Sequence, residues 1–354
     1  MNESDSDSER GSGFVADLIK EYAAPLEGSF DESDFNEGEN YPLTDADDNE
    51  ILMHRDVHFG GDFALMLEYY EAEEKGAVLD RRRIQALAEL EERLGHNLAP
   101  LSLSGAEAES VGRAKHLYSA LRDLYEQQRL SPTSKERLLA DLILSELDEE
   151  DDAVEACVKG GAAIVPELIT LLNASEFTNP LLPGYGFAPS LAARALGRLK
   201  DERAVIPLFE AIGQGELDTE EEAIAALRLI GDKARDFLVR QLNGRFLTQD
   251  TETAALVLST FREELEISKA ALRCLEETHA LSRSPLSFYL AAACAALHSP
   301  RDRASLKALG ERPEAPALTR EQISEVVAQW GSERSALGKQ VDTLPSAAEE
   351  SPEE

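Results

Sequence analysis

The sequence predicts an all-α protein in which successive helical pairs stack into an α-solenoid. Leu and Ala make up most of the apolar residues, aromatic residues account for only 6% of the chain, and no long run alternates β-branched with polar residues. Apolar residues instead recur at helical spacing. The stretch from Ser190 to Ile212, SLAARALGRLKDERAVIPLFEAI, contains two apolar helical faces separated by a polar turn, in which Asp201 is placed to cap the second helix.

Residues 1–50 are predicted to form a disordered acidic tail. Acidic residues outnumber basic ones sixteen to two in this stretch, and its opening MNESDSDSERGSG has low complexity. Such a composition buries too little apolar surface to offset the entropy that ordering costs. One exception is FVADLIKEYAAPL, where Phe14, Leu18 and Tyr22 can line a transient helix. Residues 341–354 are predicted to form a second disordered acidic tail on the same grounds.

Residues 51–150 are predicted to form a helical N-terminal region. Four amphipathic segments occur there, separated by Gly, Pro and Ser, and two of them start at Asp80 and at the Ser131-Pro132 pair. A strand is conceivable only in the six residues HRDVHF, from His54 to Phe59. The sequence leaves open whether this region is a separate bundle or continues the solenoid.

An internal repeat predicts the solenoid over residues 151–310. The stretch quoted above aligns with EEAIAALRLIGDKARDFLVRQL, which begins 31 residues later and places Leu196 on Leu227. Weaker copies bring the total to about five helical pairs, and each pair has an apolar face that the next pair covers. Residues 311–340 are predicted to be a C-terminal linker and capping helix.

Three short motifs carry a family resemblance. They are the Ala-x-x-Ala-Leu-Gly run at Ala192–Gly197, the Asp-x-Arg-Ala turn at Asp201–Ala204, and the Val-Ile-Pro-Leu start of the second helix. The repeat resembles the HEAT family, most closely its short, Ala-rich bacterial form, which is seen also in the bilin lyases of phycobiliproteins. The resemblance implies an α-solenoid whose second helices line a concave surface, and such surfaces usually hold another protein.

The net charge of -34 limits the choice of partners. A surface this negative repels nucleic acid and anionic membranes, so we expect neither. No apolar stretch approaches the ~18 residues of a membrane span, and we expect no membrane insertion. The three cysteines lie within helical patterns and are predicted to be buried thiols in a reducing compartment, which favours a cytoplasmic protein.

The motif HRDVHFGGDF is the one candidate metal site. In a strand, His54, Asp56 and His58 would face one way, as metal ligands can, and Asp62 could complete the set. The alternative is that these residues are polar side chains of a loop and that Asp62 caps the helix that starts beside it. We favour that alternative and predict no metal.

No recognisable catalytic motif occurs in the sequence. We find no Gly-x-Ser-x-Gly, no Walker-type loop, no Gly-x-Gly-x-x-Gly after a strand, and no cysteine beside a base. We therefore expect a non-enzymatic scaffold or adaptor that holds a partner protein, with no cofactor. The alternative, which the resemblance alone implies, is a bilin-lyase-like enzyme or a chromophore chaperone.

Two surface features are candidate partner-binding elements. The connection NASEFTNPLLPGYGFAPS is long and apolar for a loop, and it either covers the first repeats or presents Tyr185 and Phe187 to a partner. The predicted second helices also carry recurring positive side chains, for which ordinary surface ion pairing is the alternative to binding an acidic segment of a partner. These residues are Arg203, Arg235, Arg240, Lys269 and Arg273.

Overall fold

The computed structural model describes residues 13–23, 45–71, 79–126, 131–146, 150–244 and 246–341. Over these residues the protein consists of nineteen α-helices joined by turns and short 3-10 segments, and no strand occurs in them. The predicted all-α class is confirmed. The chain divides into two compact units, the first comprising Met1–Pro207 and Gln214–Ala223, and the second comprising Leu208–Gly213 and Ile224–Glu354.

Ten helices lie entirely within the first unit, two cross the boundary between the units, and seven lie within the second. Those of the first unit are α1 Phe14–Ala23, α2 Ala46–His58, α3 Phe63–Glu71, α4 Arg81–Leu94, α5 Ala99–Ser102, α6 Gly105–Glu126, α7 Lys135–Leu144, α8 Glu150–Gly160, α9 Val165–Leu172 and α10 Ala188–Leu199. The boundary helices are α11 Val205–Ala211 and α12 Leu217–Ile230. Those of the second unit are α13 Asp232–Leu242, α14 Gln249–Leu258, α15 Leu265–Glu276, α16 Thr278–Leu281, α17 Leu286–Ala293, α18 Pro300–Gly310 and α19 Ala317–Val341.

Helix α10 is central to the first unit. It packs against α7, α8 and α9, and Leu191, Ala195 and Leu196 on its apolar face are fully buried. The helix ends at Lys200, which adopts a left-handed conformation, and the Asp201 carboxylate then accepts a hydrogen bond from the backbone N–H of Arg203. The apolar face and the Asp201 cap were both predicted from the repeat. Leu227, the predicted equivalent of Leu196, is also fully buried.

The folded part of the chain starts earlier than predicted. Helix α1 packs against α6 and α9 and buries Val15 and Leu18, so residues 14–23 belong to the first unit instead of forming a transient helix in a tail. Helix α2 begins at Ala46, and the Arg83 guanidinium pairs with the three aspartates that cluster at its start. Residues 45–48 were predicted to be disordered because they are acidic, and the sequence did not reveal that Arg83 neutralises them. The remainder of the predicted 1–50 tail, and residues 342–354 of the C-terminal tail, lie outside the described residues.

The segment HRDVHF is helical, and the strand considered for it is wrong. It forms the last turns of α2, which buries Ile51, Leu52 and His54 against neighbouring helices. Tertiary burial of this face overrides the local alternation of polar and apolar residues. Asp62 and Asp80 cap α3 and α4 as predicted, accepting hydrogen bonds from the N–H groups of Ala64 and Arg82. The predicted start at Ser131-Pro132 is three residues early, because Ser134 is the N-cap of α7.

The second unit is built around α14, α15 and α17. Helix α14 packs against α13 and α17, α15 packs against α13, α17 and α18, and α19 covers α17 and α18. Trp330 anchors α19, since its indole N–H donates to the Ala295 carbonyl at 2.7 Å and the Arg303 guanidinium lies 4.6 Å from its ring centroid. No helix in the described ranges is both long enough and apolar enough to cross a membrane.

Candidate functional site

A surface cavity of about 500 Å³ lies between α13 and α15 in the second unit. We call it the α13–α15 groove. Its lining includes three of the five cations that the sequence singled out as partner-binding residues, together with apolar and acidic side chains. The lining residues are Arg235, Asp236, Val239, Arg240, Glu266, Ile267, Ala270 and Arg273.

Helical periodicity explains how these residues meet. On α13 the stripe Ala234, Leu238 and Leu242 is buried, so Val239 and Arg240 lie on the adjoining face beside the groove. On α15 the buried stripe includes Ile267 and Ala270, which form the floor, while Arg273 projects one turn further along. The groove therefore has an apolar floor and charged side chains along its edges.

Arg235 is held in place by the protein itself. Its guanidinium pairs with Asp232 at 2.9 Å, with Asp236 at 3.2 Å and with Glu264 at 3.2 Å. The hydrogen bond to Glu264 is the largest of the causes that raise the pKa of Arg235. Three carboxylates around one cation leave it little charge to offer a ligand, and Arg235 joins α13 to the start of α15 instead.

Arg240 and Arg273 differ from Arg235 in that neither has an ion-pair or hydrogen-bond partner among the described residues. Both side chains are exposed. The acidic residues of the groove are already engaged, since Asp236 pairs with Arg235 and Glu266 pairs with Lys269 at 3.2 Å. The groove consequently offers two uncompensated guanidinium groups above an apolar floor, on a chain whose net charge is -34.

The other two predicted cations do not line this groove. Lys269 lies on α15 and is half-buried, with its ammonium directed to Glu266. Arg203 belongs to the first unit, where it pairs with Asp201 at 2.7 Å and donates to the Ala162 carbonyl at 2.8 Å. Its hydrogen bonds therefore fix the turn between α10 and α11. Arg203 thus makes an ordinary surface ion pair, which was the alternative to partner binding considered from the sequence.

Tyr185 lies in a cluster of aromatic and histidine side chains in the first unit. Its ring stacks on His58 with centroids 4.2 Å apart, and it also faces His54 at 6.3 Å and Tyr69 at 6.0 Å. The connection that carries it buries Phe177, Leu181 and Leu182. This placement matches the covering role considered for the connection. Phe187 is half-buried and its carbonyl accepts the Ser190 hydroxyl at the start of α10.

Backbone geometry forces Tyr185 towards the cluster. Gly184, Tyr185 and Gly186 all have positive φ values, of 74°, 54° and 87°. A Cβ atom on Gly184 would collide with the Ile143 carbonyl oxygen, and one on Gly186 would collide with the Thr178 carbonyl oxygen. Both positions therefore require glycine, for conformational freedom and for space.

The histidine pair does not form the metal site considered from the sequence. His54 and His58 share a helical face, with ring centroids 5.3 Å apart, whereas Asp56 lies two residues along and points elsewhere to pair with Arg55 and Lys115. Asp62 is occupied in capping α3. Within the described ranges no group of three or more His, Cys, Asp and Glu side chains could hold a metal ion.

Burial keeps both histidines neutral at pH 7. Desolvation lowers the pKa of His54 to about 4, and desolvation together with the nearby His54 ring lowers the pKa of His58 to about 4. His54 Nδ1 is buried without a hydrogen-bond partner among the described residues. Desolvation likewise raises the pKa of Tyr70 to about 12, and Glu146 accepts a hydrogen bond from Tyr69.

A second cavity, of about 520 Å³, lies beside the Gly60-Gly61 turn and is also lined by Glu91 and Asn97. The side chains of Glu91 and Asn97 already have internal partners. Glu91 accepts hydrogen bonds from Arg55 at 2.6 Å and from the Leu98 N–H, and Asn97 Oδ1 accepts from Arg55 at 2.6 Å. We therefore regard the α13–α15 groove as the candidate functional site.

No protein-family model matches the chain, and no curated protein sequence matches it significantly. The HEAT-like resemblance therefore rests on the repeat residues alone. The stacking of helical pairs into a solenoid remains a prediction.

Sequence reasoning missed the apolar floor of the groove. Val239, Ile267 and Ala270 follow ordinary helical spacing, and nothing in one sequence indicates which apolar residues lie beneath a groove. Ordinary ion pairing was the alternative considered for these cations, and it describes Arg235. The Glu264 partner was not identified, because it lies 29 residues away, before a different helix.

Proposed function

We propose that the protein is a non-enzymatic scaffold that holds a partner protein by docking an acidic segment of that partner in the α13–α15 groove. The observation that carries the proposal is the pair of exposed arginines, Arg240 and Arg273, which lack partners among the described residues and lie beside an apolar floor. The Ala-rich repeat supports the same proposal, because HEAT-like helices commonly hold other proteins.

The chemistry of the groove defines the segment that it suits. Guanidinium groups bind carboxylates through two parallel hydrogen bonds, so Arg240 and Arg273 each suit an Asp or Glu side chain. Val239, the partly exposed apolar residue of the lining, suits a small or medium apolar side chain between those acids, above the buried Ile267 and Ala270. We therefore propose a segment in which carboxylates flank an apolar residue.

The expected affinity is modest. Exposed ion pairs contribute about 0–1 kcal/mol each, and burial of apolar surface contributes about 25 cal/mol per Å². Two ion pairs and one apolar side chain therefore support a dissociation constant of about a millimolar or weaker. A partner that binds more tightly must make further contacts on other helices.

An adaptor fits the chemistry of this chain better than a cysteine-dependent transferase. All three thiols are buried, and desolvation raises the pKa of Cys157 to about 12 and that of Cys274 to about 11. Such thiols are protonated at neutral pH and are poor nucleophiles. No observation favours the bilin-lyase-like alternative. Buried free thiols are also compatible with the reducing cytoplasm, where we place this scaffold.

The test is binding of a fluorescein-labelled synthetic peptide of glutamates interrupted by one leucine, followed by fluorescence anisotropy. We expect the double variant Arg240→Glu, Arg273→Glu to weaken binding about tenfold or more. The matched control is Arg228→Glu, Arg262→Glu, which makes the same charge change at exposed arginines of the second unit outside the groove lining. Equal loss in both variants, or no loss in either, would reject the groove as the binding site.

A further inference from the structure

The segment that follows α19 has the composition that the groove suits. Residues 342–354, DTLPSAAEESPEE, contain five acidic residues and no Lys or Arg. The acids near the end form two pairs, Glu349-Glu350 and Glu353-Glu354, separated by Ser351 and Pro352. In an extended chain the three steps from Glu350 to Glu353 cover about 10 Å. Two carboxylate pairs are therefore offered at a spacing of about 10 Å, with a proline ring between them.

The two arginines of the groove flank an apolar side chain. Arg240 comes from α13 and Arg273 from α15. Val239, which is only partly buried, suits the ring of Pro352. In the groove two positive side chains lie on either side of an apolar residue. In the segment two pairs of negative side chains lie on either side of a proline.

The segment is long enough to cross the second unit. Helix α13 packs against α15, α15 packs against α18, and α18 packs against α19. Three packings of neighbouring helices, at about 8–10 Å each, put about 24–30 Å between the axes of α13 and α19. The nine steps from Val341 to Glu350 span about 30 Å when extended. The nearer carboxylate pair therefore reaches as far as the lateral distance that separates α19 from the groove.

We infer that residues 342–354 occupy the α13–α15 groove of the same chain, pinned by Arg240 and Arg273, and compete there with the acidic segment of a partner. This inference rests on the proposed function, because it names the regulator of the same groove. A tethered segment acts at an effective concentration of about millimolar, whatever the protein concentration. A ligand that binds with about millimolar affinity in solution therefore occupies the groove for a substantial fraction of the time when it is tethered.

The experiment compares three full-length chains for binding of the glutamate–leucine peptide described above. They are the wild type, a tail variant and a control that neutralises the same number of acids at the opposite end of the chain. The tail variant is Glu349→Gln, Glu350→Gln, Glu353→Gln, Glu354→Gln, and the control is Glu3→Gln, Asp5→Asn, Asp7→Asn, Glu9→Gln. We expect the tail variant to bind the peptide about twofold more tightly than the wild type, because the effective concentration of the tail is close to its dissociation constant, and the control to bind like the wild type.

A second measurement separates failure of the inference from failure of the proposed function. In chains labelled with ¹⁵N-arginine, the Nε–H signals of Arg240 and Arg273 should differ between the wild type and the tail variant, without added peptide. Unchanged signals overturn the inference, and so does equal tightening in the tail variant and the control. If the peptide binds all three chains equally, the proposed function survives alone. If it binds none, the proposed function fails, and the arginine signals decide whether the tail occupies the groove.

Discussion

The hydroxyl of Tyr118 donates a hydrogen bond to Nδ1 of His58, with the two atoms 2.8 Å apart. The direction of this bond follows from the other side of the ring, where Nε2 lies 3.0 Å from the Pro180 carbonyl oxygen. A carbonyl can only accept, so Nε2 carries the hydrogen and Nδ1 must be the acceptor. In a protonated ring Nδ1 would instead donate to the Tyr118 hydroxyl oxygen, so the direction of this bond reports the protonation state of His58. Through its two ring nitrogens, His58 links α2 to α6 and to the connection that bears Tyr185.

Lowering the pH should destabilise the first unit. The folded-state pKa of His54 and of His58 is about 4, below the ordinary value of 6.5, so the folded state binds fewer protons than the unfolded state. Their contribution is complete above pH 6.5 and is lost as the pH falls from about 6.5 towards 4. At pH 5 we expect a loss of about 2 kcal/mol per histidine. Urea unfolding at pH 7 and pH 5 measures it, and histidine NMR titration midpoints near 6.5 for both rings would contradict it.

Truncation of Leu196 should be severely destabilising. Its side chain is fully buried on the face of α10 that packs against its neighbours, so Leu196→Ala leaves a cavity and should cost about 2–5 kcal/mol of unfolding free energy. The control is Leu217→Ala, because the Leu217 side chain is 76% exposed and its loss should change stability by less than about 0.5 kcal/mol. Chemical denaturation compares the two. Similar small effects would mean that the face of α10 is misassigned.

Gly184→Ala should destabilise the first unit more than Gly95→Ala. Both glycines have positive φ, so each substitution incurs the left-handed backbone cost of about 1 kcal/mol. Only at Gly184 does the added Cβ meet a backbone oxygen, whereas nothing lies within 4 Å of a Cβ at Gly95. Thermal unfolding should therefore rank the variants wild type, Gly95→Ala, Gly184→Ala. The reverse order would argue against the close approach of residues 184 and 143.

Removal of the Arg55 charge should be costly. Its side chain is fully buried, pairs with Asp56 and Glu91 at 2.6 Å each, and lies 4.5 Å from the Phe63 ring centroid. Arg55→Met leaves the largely shielded Glu91 carboxylate without its cation and Asp56 with Lys115 alone, and we expect a loss of about 3–5 kcal/mol. If the double variant Arg55→Met, Glu91→Gln is no more stable than Arg55→Met alone, uncompensated charge is not the cause.

Substitution of Arg235 should mainly affect stability, whereas substitution of Arg240 or Arg273 should mainly affect peptide binding. Arg235→Leu removes the partner of three carboxylates and should lower the unfolding free energy by about 1 kcal/mol, whereas Arg240→Leu and Arg273→Leu should change it by less than about 0.5 kcal/mol. Peptide binding should show the opposite pattern, with the larger losses in the latter two variants. A binding loss confined to Arg235→Leu would contradict our assignment of roles.

Local sequence signals predicted local structure well in this chain. The apolar face of α10 and the caps at Asp62, Asp80 and Asp201 all depend on residues within one or two helical turns, and the structure has them as predicted. The errors concern relationships over long distances in the sequence. Helix α1 is ordered by contacts with α6 and α9, and the acidic start of α2 is compensated by Arg83. Neither partner can be identified from the residues nearby.

The candidate site shows the same division, in which local features were predicted and long-range contacts were not. Regular recurrence of cations identified Arg235, Arg240 and Arg273, which the structure places around one groove. Recurrence could not distinguish the compensated arginine from the other two, because compensation depends on Glu264 reaching across to α13. Nor could it identify Tyr185 as an inward-facing residue, since its direction is set by three successive left-handed residues.

Those three residues also provide a means of finding relatives of this protein. At Gly184 and at Gly186 a Cβ atom would collide with a different backbone carbonyl oxygen. A related protein that has the same connection should therefore have glycine at both positions. The histidines of α2 against which Tyr185 stacks lie four positions apart. A pattern of His-x-x-x-His followed, after a long helical stretch, by Gly-Tyr-Gly could therefore identify distant homologues whose remaining residues have diverged beyond recognition.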